Sequence, residues 1–366
     1  MKKSYCLKIS YQKKASLRKM IRAYKYIDTV HSKLHEYVIA FFRKIEIDSN
    51  GFRDELFEPD FLPIVNRHRK ILKTRFKIIY EYVVKLSIID RETFCQRVIE
   101  SNQIEEICRG EYKPTSFIGT SSGINQTLKG LFLDLYNQVL DGDPFRDNIK
   151  STLRNHFDQF CNANVDITRC PICGIGELKN AHDITRDQYD HYLPKSIYPF
   201  SSINFYNLVP CCKDCNSFET KGDKDVIALS NGRLFFPYDT NHKGISLVVN
   251  VKHDNPEIEN IIWELIFSTP DNKNKEIESW KEIYSIEGRY QGFIKGRIKK
   301  LYNYYFGFIR SPQAAHLDIS DRKKLCMLSF ELNENLGLDF IFRPTLDGLL
   351  AGSNIVQAEV EALEYV

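Results

Sequence analysis

Residues 167–222 read ITRCPICGIGELKNAHDITRDQYDHYLPKSIYPFSSINFYNLVPCCKDCNSFETKG and contain two Cys-x-x-Cys pairs, Cys170/Cys173 and Cys212/Cys215. The pairs have identical spacing and are separated by 38 residues. A Cys-x-x-Cys turn allows two thiolates to bind one metal ion, and two such turns complete a closed tetrahedron. Because four thiolates leave no open coordination position, the sequence predicts a structural zinc ion that pins the ends of this segment together. The alternative is four buried thiols that bind no metal.

The other cysteines lack this spacing. Cys211 directly precedes Cys212, but only Cys212 is separated from Cys215 by two residues, and Cys161 lies outside both pairs. Six of the ten cysteines fall between positions 161 and 215, a clustering typical of metal binding in a reducing compartment. The remaining four are isolated and are interpreted as small buried hydrophobic residues: Cys6, Cys95, Cys108 and Cys326.

Polar residues suited to phosphodiester hydrolysis accompany the two pairs: Asp190-His191 and Asn207 lie between them, and Asn216 follows the second. Such hydrolysis needs a base that activates water and a cation that neutralises charge developing on the phosphate. An imidazole accepts a proton near neutral pH. Carboxylate and amide oxygens suit magnesium or manganese rather than a second zinc. An isolated Asp-His would be interpreted as a surface polar pair, but in this setting it is a candidate active site.

The combination resembles the HNH nuclease family, also called the ββα-metal fold. Its pattern is Asp-His followed by Pro, then Asn-Leu, then Cys-x-x-Cys followed by His or Asn. These elements are Asp190-His191, Pro194, Asn207-Leu208 and Cys212-Lys-Asp-Cys215-Asn216. The resemblance covers residues 168–225, about a sixth of the chain. It leads us to expect strands over 183–190 and 205–211 and a helix beginning near Cys215.

The resemblance implies a role for each polar residue. His191 would be the general base, and Asp190 and Asn216 would hold a catalytic magnesium or manganese ion. Asn207 would hydrogen-bond within the loop and orient the base. The chain departs from the family at Lys221, which comes five positions after Asn216 where the family often has a lysine after three.

The composition is that of an ordinary globular protein, with 43% hydrophobic and 27% charged residues among 366. The sequence contains no run of about 18 apolar residues, the length needed to span a membrane. The N-terminus also lacks the apolar stretch of a secretory signal. A cytoplasmic location without a membrane partner is therefore expected.

Basic residues are concentrated although the net charge is only +3. Residues 1–27, 66–80 and 288–310 are basic stretches suited to a polyanion. The last also contains aromatic residues that could stack on bases: Tyr290, Tyr302, Tyr304, Tyr305 and Phe306. The alternative is a solvated basic face above a hydrophobic core. The predicted nucleic-acid contacts are Lys195, Lys221, Lys295, Arg297, Lys299 and Lys300.

Three regions are predicted, which together give an α+β fold. They are a mostly helical N-terminal region over 1–160, a central HNH module with four-cysteine zinc knuckles over 161–230, and a mixed strand and helix region over 231–366. Helical periodicity predicts helices over 14–46, 63–86, 91–108, 128–139, 143–161 and 280–309. Strands are predicted over 233–237 and 245–251.

The sequence therefore predicts a metal-dependent HNH endonuclease that hydrolyses phosphodiester bonds in DNA. Its segments 189–199 and 207–212 look most similar to those of HNH proteins of bacterial anti-phage defence or restriction, some of which act beside an ATPase. The chain contains no Gly-x-x-x-x-Gly-Lys-Ser/Thr loop, so an ATPase or sensor subunit would be a separate chain. Two alternatives remain open: a non-catalytic zinc module that binds nucleic acid or a partner protein, and an RNase with the same core. A homo-oligomer is also left open.

Overall fold

The computed structural model describes residues 23–119, 121–230, 232–332 and 339–364. The basic stretch 1–27 and the helix predicted over 14–46 therefore lie partly outside the described residues. The chain divides into two compact units. Within the described ranges, the cysteine unit comprises residues 23–242 and 273–292, and the C-terminal unit comprises residues 243–272 and 293–364.

The cysteine unit begins with eight helices. They are α1 Lys33–Ile47, α2 Leu62–Arg67, α3 Lys73–Val83, α4 Ile88–Glu100, α5 Ile104–Cys108, α6 Ser122–Asp134, α7 Asp143–Ile149 and α8 Leu153–Ala163. Helix α6 continues as a π-helical turn over Leu135–Val139. One hydrophobic cluster extends from Leu34 to Leu208. The units do not follow the predicted boundaries at 160/161 and 230/231, because the helices and the cysteine segment share this cluster.

Local chemistry explains where several helices begin and end. Ser87 and Thr152 cap α4 and α8, each accepting a hydrogen bond from a backbone N–H in the first turn. The single helix predicted over 143–161 is two helices, because Lys150 adopts a left-handed conformation with φ of 53° and ends α7. The N-cap of α7 is Gly142.

A short antiparallel hairpin follows, formed by β1 Tyr189–His191 and β2 Leu208–Pro210, with Asp190 opposite Val209. Both strands are shorter than predicted. Before β1, Asp183 and Asp187 accept backbone N–H groups of Asn180 and Lys179, and such local side-chain bonds compete with strand pairing.

The helix predicted from Cys215 is absent. Residues 213–223 form successive turns, and the next regular helix is α9, Val226–Leu229. The strand predicted over 233–237 is also wrong, because these residues form no strand. The helical segment predicted over 280–309 is confirmed as helical but is divided into α10 Asn274–Ile283, α11 Ile286–Lys295 and α12 Ile298–Ile309.

The C-terminal unit pairs β3 Ser246–His253 with β4 Ile262–Ser268 in an antiparallel hairpin. The predicted strand over 245–251 matches β3, whereas β4 was not predicted. Helices α13 Ile319–Leu332, α14 Asp339–Gly352 and α15 Asn354–Glu364 complete the unit. Gly348 of α14 lies so close to the backbone of Val249 that a Cβ there would be 2.1 Å from its carbonyl oxygen. Among the described residues, no helix is long and apolar enough to cross a membrane.

The α+β fold class is confirmed: the structure is mostly helical, with two small antiparallel sheets and a buried four-cysteine cluster.

Candidate metal centre and active site

The sulfur atoms of Cys170, Cys173, Cys212 and Cys215 converge in the cysteine unit. All four side chains are buried, and their Sγ atoms lie within 4.8 Å of one another. The Sγ–Sγ distance is 3.9 Å between Cys170 and Cys215 and 3.7 Å between Cys173 and Cys212. Four sulfurs at about 2.3 Å from a tetrahedral zinc ion would be about 3.8 Å apart. The donor set and its spacing therefore fit zinc, as the sequence predicted.

Backbone atoms orient the thiolates. The N–H of Cys212 donates to Sγ of Cys170 at 3.4 Å, and the N–H of Gly176 donates to Sγ of Cys173 at 3.5 Å. Such contacts stabilise the anionic form that binds metal. Cys211 is buried but does not belong to the cluster, in agreement with its spacing.

Residues from α10 and α11 contact the cysteine cluster and its first turn. Arg289 donates from Nη1 to Sγ of Cys215 at 3.3 Å, which places a positive charge beside a cluster whose four thiolates exceed the charge of one zinc ion. Trp280 donates from Nε1 to the carbonyl of Ile172 at 2.5 Å, and the Tyr290 hydroxyl donates to the carbonyl of Cys173 at 2.7 Å. These contacts fix the first Cys-x-x-Cys turn.

We expect Gly176→Ala to weaken zinc binding, because a Cβ at this position would lie 2.5 Å from both Cβ and Sγ of Cys212. The cysteine cannot retreat without leaving the cluster. The matched control is Gly123→Ala in the first turn of α6, where a Cβ would meet no atom within 4 Å. Competition with a chromogenic chelator should show tighter zinc retention by the control than by Gly176→Ala. Equal retention would contradict the close packing of this turn.

The carboxylate of Asp190 forms a buried ion pair. Its Oδ1 atom is 2.8 Å from Nζ of Lys221, which also donates to the carbonyl of His191 at 2.7 Å. The exposed fraction is 5% for Asp190 and 1% for Lys221. Burial raises the pKa of Asp190, and the nearby ammonium partly offsets this rise. Lys221 is therefore not accessible for the nucleic-acid contact predicted from sequence, and that prediction is wrong.

The imidazole of His191 is held in one tautomer. Its Nε2 atom lies 3.0 Å from the carbonyl oxygen of Ser202, and a carbonyl can only accept. Nε2 therefore carries the proton, and Nδ1 retains a lone pair in the neutral ring. Burial lowers the pKa of His191 to about 3, and the charge of Lys195 adds to this effect.

An aromatic ring from the π-helical turn covers His191. The ring of Tyr136 lies edge-on to the imidazole, with ring centres 4.4 Å apart. Nζ of Lys195 lies 4.2 Å from the centre of the same Tyr136 ring and donates to Oδ1 of Asn137 at 3.2 Å. Lys195 is half-buried beside the candidate base.

Asn207 joins the two sides of the loop between the hairpin strands. Its Oδ1 accepts the N–H of Leu193 at 2.7 Å, and its Nδ2 donates to the carbonyls of Leu193 and Ser201 at 3.1 and 3.2 Å. The side chain is fully buried. Its contacts are with the loop that follows His191, which agrees with the orienting role that the resemblance implies.

Asn216 lies apart from a regular helix. It is half-buried in the turns after Cys215, and its backbone N–H donates to the carbonyl of Cys212 at 3.2 Å. In this arrangement Asp190 and Asn216 do not fit a magnesium or manganese ion. The available carboxylate is buried against an ammonium group, whereas these ions require anionic oxygens and water.

The basic stretches have mixed outcomes. Lys295, Arg297, Lys299 and Lys300 are exposed, although Lys299 forms an ion pair with Glu259 at 2.9 Å. Tyr290, Tyr305 and Phe306 are buried, which favours the alternative of a hydrophobic core below a basic face over stacking on bases. In the stretch 66–80, four of the six basic side chains face carboxylates: Arg67, Lys73, Arg75 and Lys77.

Sequence reasoning missed three groups that complete the site. Lys221 was assigned to nucleic acid, and Arg289 was counted only within the basic stretch 288–310, because charge alone does not reveal a buried partner. Tyr136 gave no signal, since an aromatic residue in an amphipathic helix is normally interpreted as core.

No protein-family model matches the chain, and no solved structure matches it. A stretch of 52 residues is 46% identical to protein ea31 of Escherichia phage lambda. The match covers 14% of this chain and 15% of ea31. A similarity of this extent does not establish a family.

Proposed function

We propose that this chain is an HNH-type endonuclease that hydrolyses phosphodiester bonds in DNA, with His191 as the general base. The observation that carries the proposal is the fixed imidazole. The carbonyl of Ser202 holds the proton on Nε2, so Nδ1 is the atom that can accept a proton from water. Burial favours the neutral ring, which has a lone pair on Nδ1, although it also lowers the basicity of that ring.

The surroundings of His191 support this role. A general base must be oriented, and here Asn207 fixes the following loop while Tyr136 covers the ring. Lys195 supplies a positive charge beside the base that suits a phosphate. π-helical turns such as the one carrying Tyr136 are frequent at functional sites.

Support for a nucleic-acid substrate comes from exposed basic residues. Lys195 lies near the base, and the C-terminal unit presents Lys295, Arg297 and Lys300 to solvent. Basic side chains bind phosphates independently of base sequence. DNA is the substrate we propose; RNA is the alternative for the same core, and a separate ATPase or sensor subunit remains a prediction.

A second candidate, a non-catalytic zinc module, is favoured by one observation. Asp190, the carboxylate assigned to the catalytic metal, is instead neutralised by Lys221 in a buried pair. A domain that needs this residue only for folding would show the same arrangement. The two candidates are separated by cleavage activity.

We expect His191→Ala to lower the rate of supercoiled-plasmid cleavage by about 10²- to 10⁴-fold, the usual contribution of a general base. The matched control is His182→Ala, which removes an exposed imidazole from the same segment. Purified protein should be assayed with magnesium on plasmid and on RNA of equal length. Zinc content and melting temperature should be measured for both variants.

The outcome separates the alternatives. Loss of cleavage in His191→Ala with full activity in His182→Ala supports the base assignment. Equal cleavage rates in His191→Ala and His182→Ala would contradict the assignment of His191 as the base. Cleavage of RNA but not of plasmid would identify the RNase alternative, and a wild-type protein inactive on both would favour the zinc module.

A further inference from the structure

We infer that the ammonium group of Lys221 is the resident cation of the Asp190 site, and that Lys221 and a divalent metal ion exclude each other there. The inference rests on the proposed function only in naming Asp190 as the carboxylate that a catalytic metal would use. The competition itself follows from the positions of three groups: the Asp190 carboxylate, the Lys221 ammonium and the His191 carbonyl.

The first argument is charge in a buried space. Lys221 satisfies Asp190 and the His191 carbonyl at 2.8 and 2.7 Å with almost no exposure to water. A magnesium or manganese ion would sit about 2.1 Å from a carboxylate oxygen, closer than the ammonium nitrogen lies now. Two cations on one carboxylate in a medium of low dielectric constant repel strongly. Metal binding therefore requires Lys221 to leave.

The second argument concerns the segment that carries Lys221. It is held at one end by Cys215 of the zinc cluster. At the other end, Asp225 accepts hydrogen bonds from the hydroxyl of Tyr198 at 2.7 Å and from the first turn of α9. The residues between these anchors form turns, and Gly222, directly after Lys221, has a φ of +46°.

Lys221 is thus carried by a short loop whose ends are fixed independently of it. Other residues of this loop already face solvent, including Phe218, Glu219 and Asp223. Withdrawing Lys221 requires movement of this loop alone and leaves both the zinc cluster and the hairpin in place. We expect the protein to bind divalent metal weakly until Lys221 is displaced or removed.

The test measures manganese binding to the zinc-loaded full chain at pH 8, by electron paramagnetic resonance of free Mn²⁺, without nucleic acid. We expect Lys221→Met to lower the dissociation constant by about tenfold or more, a difference that this titration resolves readily. The matched control, Lys213→Met, removes the same charge from the neighbouring turn between Cys212 and Cys215, where the exposed Lys213 does not contact Asp190, and should bind as the wild type does. Adding Asp190→Asn to Lys221→Met should abolish the gain.

A second measurement uses the wild-type protein and needs no variant to fold. Acetylation by acetic anhydride, read by mass spectrometry, should leave Lys221 protected without divalent ions and modify it in the presence of saturating Mn²⁺. Modification of Lys213 should not change. Continued protection of Lys221 at saturating Mn²⁺, or equal manganese affinity in Lys221→Met and Lys213→Met, would overturn the inference.

Neither measurement depends on cleavage. Competition between Mn²⁺ and Lys221 in a protein that cleaves no nucleic acid would retain this inference and remove the proposed function. Cleavage that depends on His191, together with unchanged manganese binding in Lys221→Met, would support the proposed function and contradict this inference.

Discussion

Removal of zinc is expected to unfold the region around the four cysteines, with the largest energetic effect of any single change considered. Structural zinc sites contribute an apparent binding free energy of about 10–16 kcal/mol in small peptides near pH 7. Here the same four sulfurs are buried, and Trp280, Arg289 and Tyr290 pack on their turns. A strong chelator should lower the melting temperature. It should also expose Trp280 to water and so shift the tryptophan emission to longer wavelength.

Adjacent cysteines provide the matched variants. Cys212→Ala removes a sulfur of the cluster, whereas Cys211→Ala removes a buried thiol that is not part of it. Atomic absorption should find one zinc per chain in Cys211→Ala and much less in Cys212→Ala, whose melting temperature should fall in parallel. Equal zinc content in the two variants would show that the cluster does not bind the metal.

Breaking the pair between Asp190 and Lys221 is expected to cost about 3–5 kcal/mol of stability for either single change, because each leaves one buried charge without a partner. The variants are Asp190→Leu and Lys221→Met. The double variant replaces both charges by apolar groups of similar size, and such replacements are often neutral or stabilising. In urea unfolding with zinc bound, both single variants should therefore have midpoints at lower urea concentration than the wild type. The midpoint of the double variant should return towards that of the wild type.

This experiment also tests whether the pair serves only the fold. If it does, the double variant should match the wild type in zinc content and in its free energy of unfolding. A double variant no more stable than the less stable single variant would contradict the simple picture of an isolated buried ion pair. The His191 carbonyl, which also accepts a hydrogen bond from Lys221 and would lose its donor, would then account for the difference.

The four-cysteine cluster could be predicted because its information is local. The two-residue spacing within each pair already places two thiolates on one turn, so only the meeting of the two turns depends on the fold. The contacts of Asp190 with Lys221 and of Cys215 with Arg289 depend entirely on the fold. Lys221 is 31 residues from Asp190 and Arg289 is 74 residues from Cys215, and no periodicity connects them. Both lysine and arginine are normally exposed, so the sequence favoured the wrong environment.

The fold was predictable where one face of an element is polar. Strand β3 alternates buried and exposed positions and was expected, whereas β4 was not. Ile262 and Ile266 of β4 are exposed apolar residues, which hide the alternation of period two. Helix ends depended on backbone conformation, as at Lys150, where a left-handed residue other than glycine divides a continuous helical pattern.

A zinc ion bound by the four cysteines would give residues 173–212 a second connection in addition to the peptide chain. Ile184 lies within residues 173–212 and is 98% exposed, so a protease could reach this segment. A single cut there would leave both fragments bound to the same zinc ion, with the strands β1 and β2 still paired. The nicked protein would remain one particle, and its continuity would depend on the metal rather than on the severed backbone.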